Sequence, residues 1–372
     1  MASSVFHSFV QPVHFDIISE DAPYSAGQFG NLLSEDNDWQ DARVVLLGVN
    51  EWRGEGPGRF ADADEVRKSF YRLYHWHTGI KVADLGNVKQ GATIGDTYAA
   101  LKSVVYELIA QGKRVILFGG SHDCTLPVYR AFAGLRQVIE ATVVDALLDL
   151  DKNERQPARH FLLEMLTGQP NYISQFNLVG FQTYFAFPPL LETIDKLRFD
   201  CFRLGQVQDY MEEVEPSIRS SALVSIDLNA LAAGWMNEKN AISPNGFTGQ
   251  EIVKLVQFAG MSNENRVTGI FGLRDAGTGN LAALQVAQMI WYYLDGLNKL
   301  DHEQPLSNRK AFTEFHTLCS EMDTLFLQSR QSGRWWMQLP NGDFTPCSYR
   351  DYLDASRNEL PERWLRIQER TG

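Results

Sequence analysis

The sequence predicts an α/β fold: a three-layer α-β-α arrangement whose middle layer is a mainly parallel sheet of roughly eight strands. Three observations carry this reading. Short runs rich in Val, Ile and Leu alternate with longer amphipathic stretches, the pattern of repeated strand–helix units. Several of the apolar runs lack inside–outside alternation, as strands covered on both faces do. The chain has 372 residues, 44% hydrophobic and 22% charged, which is enough for a sizeable core.

The elements follow in order. RVVLLGV (43–49) is the first strand, and DADEVRKSFYRLYHW (62–76) is a helix with Val66, Phe70, Leu73 and Tyr74 at helical spacing. KVADLG (81–86) is a strand. GDTYAALKSVVYELIAQG (95–112) is a helix starting near Asp96 and Thr97 and stopping on a glycine. RVILFGG (114–120), ATVVDAL (141–147), FNLVGF (176–181), CFRLG (201–205) and ALVSIDL (222–228) are further strands. TGQEIVKLVQFAG (248–260) opens on a Thr248/Glu251 capping box. RVTGIFGL (266–273) is the last strand, and TGNLAALQVAQMIWYYLDGL (278–297) is the most apolar helix. The core thus spans about 40–298 of a single 1–372 domain. The Trp-, Tyr- and Pro-rich stretch after it is expected to pack on that core, because about 70 residues with little helical periodicity would struggle to build their own.

A formal net charge of −12 argues against nucleic-acid partners and anionic membrane surfaces. Cys124, Cys201, Cys319 and Cys347 form no C-x-x-C pair and read as reduced structural thiols. The N-terminal stretch lacks a basic region followed by an apolar one, and no apolar run reaches the roughly 18 residues needed to span a bilayer, so a cytoplasmic location is expected. GEGPGR (54–59) lacks the Lys-Ser/Thr of a phosphate loop and reads as a mobile loop at a site mouth. No dinucleotide fingerprint follows the first strand, and there is no G-x-S-x-G elbow. Trp335–Trp336 reads as packing, and His75 and His77 as surface residues at a helix end.

Ligands of parallel α/β sheets bind beyond the carboxyl ends of the strands. Three strands deliver polar residues there: Ser121, His122 and Asp123; then Asp145 and Asp149; then Asp227 and Asn229. Singly, each has a blander explanation as a turn former or helix cap. Together, an imidazole and several carboxylates suit a divalent ion such as Mn2+, Fe2+ or Zn2+.

These residues resemble the ureohydrolases, the family of arginase, agmatinase and formimidoylglutamase. LFGGSHDCT resembles the family's Gly-Gly-Asp-His region, VVDALLDLD its Asp-Ala-His-x-Asp, VSIDLNAL its Ser-x-Asp-x-Asp, and SPNGFTGQE its Pro-Gly-Gly-(Leu/Phe)-Thr-x-x-Glu. The tail pattern RWW…P…PCSY is similar to a formimidoylglutamase-like branch found in Bacteroidetes. The resemblance implies an arginase-like fold, small amidine or guanidino substrates, and a homo-oligomer. Active members hold two Mn2+ ions on two His and four Asp. Carried over by residue, one ion's ligands are His122, Asp145, Asp149 and Asp227. The second ion would share Asp145 and Asp227, but its own His and Asp are here Leu147 and Asn229. The family's substrate-binding Glu falls at Gly272.

Leu cannot ligate, and Asn brings no charge, so at most one Mn2+ per chain is expected, with none as the alternative. Two functional readings follow. In one, the chain is a metal-dependent hydrolase of a linear C–N bond in a formiminoglutamate-, arginine- or agmatine-like substrate, with Asp123 or Asn229 orienting water. In the other it is an inactive member of the fold with a binding or regulatory role.

Overall fold

The computed structural model describes residues 8–18, 23–58, 60–196, 199–236, 242–274, 281–319 and 322–371. Nine strands form the main sheet: β1 (Val10–Gln11), β2 (Val44–Val49), β3 (Val82–Val88), β4 (Arg114–Phe118), β5 (Ile139–Val144), β6 (Ile173–Phe181), β7 (Asp200–Arg203), β8 (Leu223–Asp227) and β9 (Val267–Phe271). Their order is β1-β3-β2-β4-β9-β8-β5-β6-β7. All pairings are parallel except β1 against β3. The eight expected strands are all present. The ninth, β1, has only two residues and shows no apolar pattern.

Side-chain alternation makes the three layers. Val44, Leu46, Ile116, Phe118 and Ile226 face one core cluster, which the helices Ala63–Phe70, Gly249–Gly260 and Leu281–His302 complete. Val45, Leu47, Val115, Leu117 and Val143 face the opposite cluster, under the helices Ile94–Ala110 and Thr125–Gly134. Because both faces are apolar, the strands read as continuous apolar runs.

Local signals set the helix ends, with two corrections. The cap of the helix expected at 95–112 is Thr93, which forms a reciprocal capping box with Asp96; the helix begins at Ile94. The helix expected over 62–76 stops at Phe70. There the carbonyls of Tyr71 and Leu73 accept from Gly30 and Phe29 instead of continuing the helix, and Tyr74 bridges to Gln28. The Thr248/Glu251 box is present as expected. Residues 275–280, at the start of the apolar helix expected at 278–297, lie outside the described residues; the helix runs Leu281–His302.

Arg67 anchors the first of these helices. It is 1% exposed, grips Asp84 of β3 through two bonds of 2.9 and 2.8 Å, and bonds Asn87 and the Gly86 carbonyl. The Tyr71 hydroxyl donates to the same Asp84 carboxylate at 2.9 Å.

The extension folds into a second, antiparallel sheet: β10 (Phe312–Cys319), β11 (Met322–Ser329), β12 (Trp335–Gln338) and β13 (Phe344–Cys347). Phe326, Trp335, Met337 and Cys347 form a small apolar cluster of its own. It is stapled to the main sheet where β5 and β8 begin. Arg219, just before β8, donates to the Trp335 carbonyl at 2.8 Å and stacks on Trp336 at 4.4 Å. From the other side, Arg334 bonds Glu303 at 2.8 Å and the Met261 carbonyl at 2.9 Å. No helix among the described residues is long and apolar enough to cross a membrane. The four cysteines are free thiols.

Candidate metal centre

β4, β9, β8 and β5 lie side by side, although β4 and β5 are consecutive in the chain. This brings the carboxyl ends of β4, β8 and β5 to one edge, where the order of the sheet opens a crevice.

β4 runs into Gly119 and Gly120, with φ of +86° and +72°. A Cβ on Gly119 would lie 2.6 Å from the Val49 carbonyl, so only glycine lets the chain turn this close to β2. The turn sends His122 into the crevice at the head of a short 3-10 segment, His122–Cys124. Asp145 and Asp227 each use one oxygen to fix their own turn. Asp145 Oδ1 accepts the Leu147 N–H at 3.0 Å, and Asp227 Oδ1 accepts the Asn229 N–H at 2.7 Å. The turn-forming explanation and the ligand explanation therefore hold together, one per oxygen. Asp149 reaches the same point from left-handed backbone, φ +48°, which Asp tolerates better than most residues.

The Nδ1 of His122 lies 3.0, 3.1 and 3.4 Å from the Oδ2 atoms of Asp145, Asp149 and Asp227. Its Nε2 lies 3.1 Å from the Ser225 hydroxyl, which in turn bonds Thr125. With Nε2–H donating to Ser225, the Nδ1 lone pair faces three carboxylates, an arrangement that requires a cation. Either a proton or a metal ion can supply it. A proton serves only one oxygen: Nδ1 bonds Asp149 Oδ2, and Asp145 Oδ2 and Asp149 Oδ1 stay buried without a hydrogen-bond partner. Such orphaned oxygens are costly. The ligand atoms of His122, Asp145, Asp149 and Asp227 all lie within 4.8 Å of one another, and all four residues are buried. One imidazole nitrogen and three carboxylate oxygens fit one divalent ion.

Burial and mutual charge shift these groups against one another. Burial opposes a charged imidazole, but Asp145, Asp149 and Asp227 overcome it and push His122 up to about 10. Burial and then the Asp149 charge push Asp145 up to about 6. Burial and the Asp145 charge raise Asp227.

Well over half of the chain, residues 40–270, matches the arginase family model. The chain belongs to the arginase family. Among solved structures, this arginase-family chain is similar to the Trypanosoma cruzi formiminoglutamase with Mn2+: 17% identity, TM-score 0.65, covering 73% of this chain and 98% of the other. It is similar to the Bacillus subtilis formimidoylglutamase at 15% identity and TM-score 0.62, with 70% and 89% covered. The agmatine ureohydrolase of Thermoplasma volcanium gives 16% and 0.61, with 75% and 97% covered. No curated protein sequence matches it.

The other expected site residues border this arginase-family cluster without joining it. Asp123 is not among the four clustered ligands. It is buried against Gly54, where a Cβ would collide with its carboxylate, and accepts from the Tyr98 hydroxyl. Burial, with the charges of Glu55, Glu51 and Asp149, pushes it up to about 8. Leu147 and Asn229 are half-buried beside the cluster, and Asn229 contributes its backbone N–H. Gly272 has φ +82°, and a Cβ there would lie 2.6 Å from Asp227 Oδ1, so this backbone has no room for a side chain.

The glycine loop does not stand free as the sequence led us to expect. The Gly54 carbonyl accepts from Ala158, and Glu55 Oε1 bonds Arg274 at 2.7 Å and Arg159 at 3.3 Å. Burial and the Asp227 charge raise Glu55. Ser225, Glu55, Arg159 and Arg274 escaped sequence reasoning. Ser225 had a signal: it lies two residues before Asp227 on one strand, hence on the same face. The others are brought in by loop paths that no local pattern encodes.

Proposed function

We propose that this chain holds one divalent ion, Mn2+ foremost, on His122, Asp145, Asp149 and Asp227, and hydrolyses a linear C–N bond of an amidine or guanidino substrate. The observation that carries the reading is the convergence of three buried carboxylates on His122 Nδ1 with two of their oxygens unpartnered. A divalent ion held there supplies hydroxide near neutral pH by acidifying water. The chain's own residues prepare the site. Ser225 accepts from Nε2–H and so holds the His122 tautomer whose Nδ1 lone pair is free to ligate. The backbone N–H groups of Leu147 and Asn229 lock two of the carboxylates. Asp123, next to His122 in the chain, or Asn229, two residues after Asp227, would orient water. Formiminoglutamate-like substrates come first and agmatine- or arginine-like ones next; the names of the similar structures support this order.

Leu147 and Asn229 favour a second reading, a binding or regulatory protein on the same fold, because one ion activates water less strongly than a bridging pair. Elemental analysis of protein purified with Mn2+ tests both, alongside formamide and urea release from the three substrates. One ion per chain, lost in Asp149→Asn, and turnover of one substrate are expected. Two ions per chain would overturn the single-ion site, and no ion would remove the hydrolase reading. One bound ion with no turnover would favour the binding protein.

A further inference from the structure

Arg159 has no part in the reading above, yet it faces the cluster. It closes the short turn Pro157–Arg159, ten residues after Asp149. Its Nη1 lies 3.9 Å from Asp149 Oδ1, the buried oxygen without a hydrogen-bond partner. Its Nη2 lies 3.3 Å from Glu55 Oε1. Arg159, Asp149 and Leu147 line one cleft of about 250 Å3, walled by Phe185, Phe187 and Leu190.

Charge counting gives this position a meaning. With His122 neutral as a ligand, three carboxylates and one dication leave a net negative charge buried at the sheet edge, while Glu55 is offset by Arg274 at 2.7 Å. Uncompensated buried charge is costly. A second dication would compensate it, but Leu147 offers no ligand. A guanidinium needs no ligand, only an oxygen to face, and it keeps its charge at any physiological pH. We propose that Arg159 is the second cation of this centre: its guanidinium stands over Asp149 in the Leu147 cleft, neutralises the charge one divalent ion leaves, and excludes a second ion.

The inference rests on the single-ion reading, and the test separates the two. Mn2+ affinity is measured by calorimetry on the wild type, Arg159→Gln and Arg159→Lys. Removing a neighbouring positive charge strengthens cation binding, so Arg159→Gln should bind its one ion about tenfold more tightly, while Arg159→Lys stays near wild type. The ligand positions are then restored with Leu147→His plus Asn229→Asp, with and without Arg159→Gln. Mn2+ stoichiometry and electron paramagnetic resonance should give one ion with a mononuclear six-line spectrum when Arg159 is present. They should give two exchange-coupled ions when it is absent. Two coupled ions with Arg159 in place, or unchanged or weaker Mn2+ affinity in Arg159→Gln, would overturn the inference and leave the single-ion site standing. A wild-type chain that binds no Mn2+ would overturn both.

Discussion

Gly272→Ala is a small change with a large expected cost. Gly272 follows β9, and its N–H donates to the Gly120 carbonyl at 2.9 Å, tying the end of β9 to the turn that carries His122. At φ +82° an L-residue is strained, by about 1–2 kcal/mol. The new Cβ would lie 2.6 Å from Asp227 Oδ1, so one of the two must move. Asp227 cannot yield freely, because the same Oδ1 holds the Asn229 N–H at 2.7 Å. Losing that bond to a buried carboxylate costs about 1.5–3 kcal/mol. Allowing for partial relaxation, Gly272→Ala should lose about 2–4 kcal/mol of unfolding free energy, read as a shift in urea midpoint at constant slope. The displaced Asp227 should also weaken the stabilisation that Mn2+ gives the folded chain. A loss below about 0.5 kcal/mol, within the usual range of surface substitutions, would refute the packing argument. A large loss of stability with Mn2+ stabilisation intact would refute the placement of Asp227 at the ion.

Three further outcomes follow from the same geometry. Ser225→Ala strips His122 Nε2 of its partner and should weaken Mn2+ binding about tenfold or more; unchanged affinity by calorimetry would show that Ser225 does not orient the ring. Arg67→Met leaves the buried Asp84 carboxylate uncompensated and should cost about 3–5 kcal/mol in urea unfolding; a loss under about 1 kcal/mol would mean that Asp84 finds other relief. His75 stacks on Phe29, faces the Ile80 carbonyl through Nε2 at 2.9 Å, and has a buried Nδ1 without a partner, so burial lowers its pKa below 6.5. A depressed histidine stabilises above its unfolded value, and that stability is lost as pH falls below about 6.5, at no more than about 1.4 kcal/mol per pH unit. His75→Gln should flatten this limb relative to wild type, and identical slopes would refute the assignment.

The sheet was legible because its strands are covered on both faces: after their leading arginines, RVVLLGV and RVILFGG are continuous short apolar runs rich in Val, Ile and Leu that end at glycine, the pattern of a buried strand. β1 was not, since two residues paired at an edge carry no period. The extension's strands were hidden for another reason. Its residues alternate irregularly along β10 and β11, because the small cluster they cover takes side chains from the helix Tyr349–Ser356 as well. The four converging ligands were visible, because strand ends and carboxylates are both sequence features. The charge balance around them was not. Arg159 and Glu55 are 104 residues apart, and their meeting depends on two loops closing over the crevice. His75 and His77, read as surface residues, are partly covered; His77 lies 3.2 Å from Asp295 of the long apolar helix.

The staple between Arg219, Trp336 and Arg334 sits where β5 and β8 start, whereas the ligands sit where those strands finish. A five-residue strand is about 17 Å long, so the staple and the ligands are kept apart by the length of β8. The extension is therefore a handle. A label attached to the extension is expected to sit at the opposite end of β5 and β8 from the ligands.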